Sequence, residues 1–212
     1  MADLRNVDQI QMRLLEEVAN LHEVPAGAYN IRANGQLAGR VNSANIEIVS
    51  KEDGTGIDIH IKPGTKRESV HIPVVLSQSG LSEMVYNDFY IGDGADVVIV
   101  AGCGIHNGGD QDSEHDGIHR FFLGKNAKVK YVEKHYGEGD GKGKRILNPG
   151  TEVTMEENSY MEMEMVQILS LIHISSAGSS VRYSAALALP TRLSAKRQRW
   201  PVTNRFLSRM HF

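Results

Sequence analysis

Most of the chain alternates apolar and polar side chains with a period of two. The alternation is clearest over residues 45–49, 57–61 and 70–74, and it is typical of strands that bury one face. Turn signals such as Glu52-Asp53-Gly54 and Pro63-Gly64 separate these stretches, because glycine and proline supply the backbone angles that a reversal needs. With no helical periodicity between them, we predict a run of short strands.

One helix is predicted, close to the N-terminus. Asn6 is its expected N-cap, with Gln9 in the capping-box position, and Pro25 and Gly27 are expected to end it. Apolar residues spaced by three or four share one face of a helix, which packs on the core. These residues are Val7, Ile10, Leu14, Val18 and Leu21.

A 32-residue repeat organises the strands. Residues 91–99 align without a gap with 123–131 and again with 155–163. Each copy has an apolar residue, a turn with Gly or Asn, a small residue and an alternating strand. A fixed period of this kind indicates units that stack on one another, so the repeat predicts a β-solenoid; a β-sandwich is the alternative. Equivalent corners are expected at Ala95, Ala127 and Ser159, followed by the inward residues Val97, Val129 and Met161.

The composition changes sharply at Leu169. Residues 1–168 contain 16 Lys+Arg and 26 Asp+Glu, whereas residues 169–212 contain 7 Lys+Arg and no acidic residue. We therefore interpret 169–212 as a basic tail that is foreign, out of frame or disordered. The remainder divides into an N-terminal helical segment (1–27) and a truncated β-helix core (28–168), and we expect the native protein to continue differently after Ile168.

Composition and charge also indicate the cellular compartment and exclude some classes of partner. The single cysteine, Cys103, excludes an internal disulfide, and without an export signal the cytoplasm is the expected compartment. The acidic body argues against nucleic acid as a partner. No apolar run approaches the length that spans a bilayer, so no membrane association is expected.

The densest group of chemically active side chains lies between residues 102 and 119. Cys103, His106, His115 and His119 have spacings that allow thiolate and imidazole to converge on one metal ion. The alternative is a solvated, glycine-rich loop in which Cys103 is a small buried apolar residue. On the strand at 129–136, Glu133 and His135 are expected to be ordinary surface residues.

Two glycine clusters do not predict phosphate sites. Residues 137–144 lack the spacing and the Ser or Thr of a P-loop, and we predict a flexible hairpin tip there. The pair Gly102 and Gly104 is followed by Asn107 where a dinucleotide site has its third glycine.

Several of these stretches together resemble the SufB/SufD family of iron–sulfur cluster assembly proteins. The resemblance is carried by residues 95–107, 115–119 and 128–139, and it extends through 144–149 and 161–167. It covers about residues 1–168 and ends at the change of composition. It implies a mainly β fold, a right-handed parallel β-helix preceded by the N-terminal amphipathic helix.

The same resemblance implies a scaffold role rather than catalysis. Family members belong to the SUF system, pair with a second SufB/SufD-like subunit, bind a SufC-type ATPase through a C-terminal helical segment, and hold an iron–sulfur cluster transiently on the assembled complex. The family's sulfur-transfer and cluster residues lie in the later coils and the C-terminal part, which have no counterpart here, so those roles are not carried over to any residue of this chain. Because the segment that binds the ATPase has no counterpart either, we expect this chain to be unable to recruit the ATPase. Two rival functions remain: a metal-dependent solenoid enzyme using Cys103, His106, His115 and His119, and a purely structural interaction module.

Overall fold

The structure, a computed structural model, describes residue 4 and residues 7–19, 27–169 and 183–186. These residues form one helix, α1 (Gln9–Ala19), and thirteen strands. The strands are β1 (Ala28–Ala33), β2 (Gln36–Val41), β3 (Ile46–Ser50), β4 (Gly56–Ile61), β5 (Lys66–Leu76), β6 (Ser82–Ile91), β7 (Asp96–His106), β8 (Ser113–Leu123), β9 (Lys128–Glu138), β10 (Arg145–Leu147), β11 (Gly150–Met155), β12 (Tyr160–Leu169) and β13 (Tyr183–Ala186).

The strands form two sheets that face each other across a common interior. In the first sheet the order is β13-β12-β9-β7-β5-β1-β2, and in the second it is β10-β8-β6-β4-β3, with β11 also paired to β8. Neighbours along β5-β7-β9-β12 and along β4-β6-β8 run parallel and come from successive coils. The chain is therefore mainly β and forms a β-solenoid of about four turns, as the repeat predicts, and not an antiparallel sandwich.

The corners of the coils coincide with the repeat. Ala95 and Ala127 are completely buried and Ser159 is 6% exposed, because each side chain points inward at a tight bend. The residue before each corner has a positive φ of 56–64°, which glycine and asparagine tolerate best; these residues are Gly94, Asn126 and Asn158. Val97, Val129 and Met161 are buried in the same apolar core, which confirms the predicted inward positions.

A fourth corner, at Thr65, does not follow the 32-residue period. Thr65 is 4% exposed and is preceded by Gly64 with a φ of 72°, so it is equivalent to Ala95. Its coil is shorter, since Lys66 pairs with Asp96, and Arg67 forms a bulge after which the register shifts. The shorter spacing and the bulge hide this coil from a search at a fixed period.

One part of the interior is a continuous apolar core to which all the coils contribute. Phe89 and Phe121 stack with ring centroids 4.5 Å apart, and Tyr131 meets Phe121 edge-on at 4.9 Å. Isoleucine and valine from β3, β4 and β5 fill the rest of this core. Because the side chains of successive coils stack directly on one another, each coil buries its inner face on the next.

Helix α1 covers the outer face of the first sheet. Leu14, Leu15 and Val18 are completely buried there, whereas Ile10 is 37% exposed, so the prediction that it belongs to the buried face is wrong. Leu21 and the predicted stop at Pro25 lie outside the described residues.

The N-cap of α1 is Asp8 and not Asn6. The Asp8 carboxylate accepts from the backbone N–H of Gln11 at 2.8 Å, and Gln11 Oε1 accepts from the backbone N–H of Asp8 at 3.0 Å. This is a complete capping box two residues further along than predicted. The negative charge of the aspartate also complements the helix dipole.

Helix α1 packs on β7 at the pair Gly102 and Gly104. A Cβ atom on Gly104 would lie 3.1 Å from Leu14 Cβ, and one on Gly102 would lie 3.0 Å from Val18 Cβ. These contacts are tighter than packed carbon atoms normally allow, so only glycine lets the helix backbone approach the sheet this closely. The glycines that fail as a dinucleotide site therefore have a packing role.

The glycine-rich segment 139–144 is a stacked loop, and the prediction of a hairpin tip is wrong. The strands on either side of it, β9 and β10, lie in different sheets. The backbone N–H of Gly141 donates to Asn107 O and that of Gly143 to Gly109 O, each at 3.0 Å. The loop thus continues the parallel stacking of the coils outside the strands.

At the far end of the solenoid, β13 pairs antiparallel with β12. The register runs from Glu162 opposite Ala186 to Met165 opposite Tyr183. The other predictions for the tail at 169–212 fall outside the described residues. No helix in the described part of the chain is long and apolar enough to cross a membrane.

Candidate functional site

On β7, β8 and β9 the interior of the solenoid changes between apolar and polar along each strand. On β5 the inward residues are Val70, Ile72 and Val74, all buried. On β7, β8 and β9 the corresponding rows include five polar or thiol side chains, each at most 6% exposed. We call these the luminal cluster: Cys103, His115, His119, Glu133 and His135.

The strand registers bring these side chains together. Cys103 on β7 lies directly beside His135 on β9, in the row that begins with Arg32 and Val74. Ala101 lies beside Glu133 in the same sheet. His119 on β8 faces them from the second sheet. Inward and outward positions alternate along a strand, so the parity that buries Val97 and Val129 also directs Cys103, Glu133 and His135 inward.

The luminal cluster surrounds a small internal cavity. Its volume is about 10 Å³, which is room for about one water-sized ligand. A Cβ atom on Gly117 would lie 3.1 Å from His119 Nε2 and 3.4 Å from His115 Nε2. Glycine at this position therefore keeps the space between the two imidazoles open. The five cluster residues line the cavity together with Ile72, Val74, Asn87, Gly102, Gly117 and Pro149.

The polar atoms around the cavity are poorly paired. Glu133 Oε1 lies 3.4 Å from His135 Nε2 and 3.6 Å from His119 Nε2, which is long for a hydrogen bond. Glu133 Oε2 and the Nδ1 atoms of His115, His119 and His135 are buried and have no hydrogen-bond partner. Buried polar atoms are paired in the great majority of cases, so four such atoms around one cavity point to a missing partner.

Burial and neighbouring charges shift the titration of the cluster. Burial, together with His119, His135 and Arg32, lowers the pKa of His115 to about 3, and burial lowers the pKa of His119 as well. Burial opposes ionisation of Glu133, but the interactions with His135 and His119 outweigh it and bring its pKa to about 2.

The thiol in the same cavity is held protonated. Burial raises the pKa of Cys103 well above its ordinary value, and the carboxylates of Glu83 and Glu133 raise it further. In the absence of an added cation Cys103 is therefore a neutral thiol, because a thiolate would face two buried carboxylates.

An ion pair borders the luminal cluster on the side of the first coils. Arg32 Nη2 lies 2.5 Å from Glu83 Oε1, and Glu83 pairs in register with His115. Arg32 thereby compensates the charge of Glu83, which is 9% exposed. Glu133 has no such arginine or lysine contact among the ion pairs of the described residues.

Three of the four predicted metal ligands meet in the cavity, and His106 does not. His106 lies on the outer face of β7, where its Nδ1 is 3.0 Å from Glu138 Oε1. Glu138 also contacts Arg13 of α1 and accepts from the Tyr136 hydroxyl at 3.0 Å. Cys103 and His106 are an odd number of residues apart on one strand, and they therefore point to opposite faces of the sheet.

The expectation that Glu133 and His135 are surface residues is wrong. They are 2% and 4% exposed. They share the parity of Val129 and Tyr131, and this alternation in the sequence is the signal that places them inside.

Among the described residues, no group of three or more His, Cys, Asp or Glu side chains is placed so that it could hold a metal ion. The comparisons with known proteins assign no family, since the chain matches no family model and no curated protein.

Proposed function

We propose that the chain is a scaffold subunit of the SUF iron–sulfur cluster assembly system, of the SufB/SufD type. One observation supports this most. The three stretches that carry the resemblance, 95–107, 115–119 and 128–139, correspond to β7, to part of β8 and to β9. These consecutive strands supply every member of the luminal cluster. The residues that suggest the family are thus also the residues that surround the polar cavity.

The chemistry of the cluster suits this function. Thiol, imidazole and carboxylate are the side chains that bind iron in proteins. The cavity, at about 10 Å³, admits no organic substrate, which weighs against a metal-dependent enzyme acting there. It is also too small for an iron–sulfur cluster. We therefore assign the cluster, as cargo, to the assembled complex and not to this interior.

The proposed partners follow from the same assignment. They are a second SufB/SufD-like subunit and a SufC-type ATPase, without nucleic acid or membrane, in the cytoplasm. The solenoid presents rigid parallel strands, and its coil edges and outer faces are surfaces on which a related solenoid can pack.

Co-purification tests the proposed function. The chain would be co-expressed with the SufC-type ATPase and the second SufB/SufD-like subunit from the same genome and isolated anaerobically. We expect the second subunit to elute together with the chain. We also expect iron and sulfide added to this complex to give the visible absorption of a cluster that survives desalting.

Elution of the chain alone, with no cluster formed in the mixture, would contradict the proposal. A stable complex that forms no cluster would instead favour the structural interaction module.

A further inference from the structure

Glu133 is a buried carboxylate whose charge is not compensated by a permanent cation. It is 2% exposed, and its neighbours are His119 and His135. An unpaired charge in a protein interior strongly destabilises the fold, and folded proteins normally place a counter-charge beside it. The two nearby imidazoles supply nitrogen lone pairs as readily as protons. A proton or a metal ion bound at this site would therefore compensate the charge of Glu133.

The distances around Glu133 resemble those between the ligands of one metal ion. Zinc–nitrogen and zinc–oxygen bonds of about 2.0–2.2 Å in a tetrahedron separate neighbouring ligand atoms by about 3.3–3.6 Å. Glu133 Oε1 is 3.4 Å from His135 Nε2 and 3.6 Å from His119 Nε2. The cavity beside them has the size of one ion or water molecule.

We infer that His119, Glu133 and His135 form a binding site for one divalent transition-metal ion, such as Zn²⁺ or Fe²⁺, inside the solenoid, with Cys103 as the fourth ligand. Two imidazoles and one carboxylate are a ligand set that both metals accept. As the side chains are placed, no three of them in the described residues could hold a metal ion, so binding requires the imidazoles and the thiol to turn toward the ion. This inference does not depend on the proposed function.

Charge balance supports Cys103 as the fourth ligand. An ion of charge +2 bound by the Glu133 carboxylate and the Cys103 thiolate, with neutral His119 and His135, gives a neutral group that suits a buried site. Binding releases the thiol proton to solvent, as metal binding to cysteine does generally. Cys103 lines the same cavity and lies beside His135 in the sheet.

Cobalt provides a direct test, because its absorption reports both geometry and ligand type. The full chain would be stripped of metal with a chelator and titrated anaerobically with Co²⁺. We expect one Co²⁺ per chain, with the intense visible bands of tetrahedral coordination and a near-ultraviolet thiolate-to-cobalt band. Stoichiometric Zn²⁺ should displace the cobalt and abolish both signals.

Variants then assign the ligands. Glu133→Gln and His135→Gln should each weaken Co²⁺ binding at least tenfold, whereas Cys103→Ser should remove the near-ultraviolet band. His106→Gln is the matched control, because His106 belongs to the same sequence cluster but lies on the outer face; it should bind as the unmodified chain does. Circular dichroism verifies that each variant is folded.

Cobalt titration of the unmodified chain is enough to contradict the inference, so the test does not depend on whether every variant folds. Binding of less than one Co²⁺ per chain, or octahedral spectra without a thiolate band, would exclude the site as described. Unchanged affinity in a folded Glu133→Gln variant would do the same.

Discussion

At the residue scale, the interior of this solenoid departs from the rule that cores are apolar. Cys103 and His135 lie in the same row as Val74 of β5, and Glu133 lies in the row of Ile72. His115 and His119 stack instead on the polar residues Glu83 and Asn87. Each unpaired polar group costs stability, so a folded chain that keeps four such atoms around one cavity has a reason other than packing. The titration of His115 makes that cost measurable.

We predict that the metal-free chain loses stability as the pH falls below about 6.5. The pKa of His115 is about 3 in the folded chain, against an ordinary value of 6.5. Between these values the unfolded chain binds a proton that the folded chain does not. The stabilisation is therefore complete above pH 6.5 and is lost toward pH 3. For this one group the loss is about 2 kcal/mol between about pH 7 and about pH 5.

Urea unfolding in the presence of a chelator measures this loss. In a His115→Gln variant the free energy of unfolding should vary less with pH over the same range. His60→Gln is the control, since His60 is exposed and stacks on Tyr90, and it should keep the dependence of the unmodified chain. An identical dependence in His115→Gln would show that His115 does not titrate as the structure implies.

At the element scale, the close approach of α1 to β7 explains why two glycines flank Cys103. The helix buries Leu14, Leu15 and Val18 against a sheet surface that has no side chains at Gly102 and Gly104. The outer face of β7 thus binds the helix, while its inner face carries the thiol of the luminal cluster. One strand thereby links the packing of the N-terminal segment to the geometry of the cavity.

We predict that Gly104→Val displaces the helix without unfolding the solenoid. The new side chain would meet Leu14 and Val18, because even a Cβ atom lies 3.1 Å from Leu14 Cβ. Overpacking of this kind costs about 1–3 kcal/mol. Hydrogen exchange should show loss of protection for the amides of residues 9–19 and retained protection in β7 and β9.

Val98→Ala on the same outer face is the control for this experiment. Val98 is 39% exposed, so its truncation should leave the helix amides as protected as before. Full protection of the helix in the Gly104→Val variant would mean that α1 is not seated on this glycine.

At the scale of the whole molecule, the sequence predicts the architecture better than the site. Period-two alternation and the 32-residue repeat are local signals, and they locate the strands and the corners at Ala95, Ala127 and Ser159. The corner at Thr65 is missed because its coil is shorter than the repeat and a bulge at Arg67 shifts its register. The site is predicted only in part, because the metal-ligand spacing that selects Cys103 and His106 takes no account of strand parity, which places these two residues on opposite faces of β7.

Stacking also implies that stability is distributed unevenly along the solenoid, since each coil contacts only its neighbours. Ile99 is completely buried and lies between Val70 and Tyr131 of the adjacent coils. Met163 has Tyr131 on one side and only the short strand β13 on the other, and it is partly buried.

We therefore predict that Ile99→Ala costs about 2–5 kcal/mol, whereas Met163→Ala costs about 1–2 kcal/mol, because truncation leaves a cavity only where both neighbouring coils hold their positions. Chemical denaturation of both variants measures the difference, and hydrogen exchange shows whether β12 opens before β7. Equal losses of stability would mean that Met163 on β12 is enclosed as completely as Ile99 on β7.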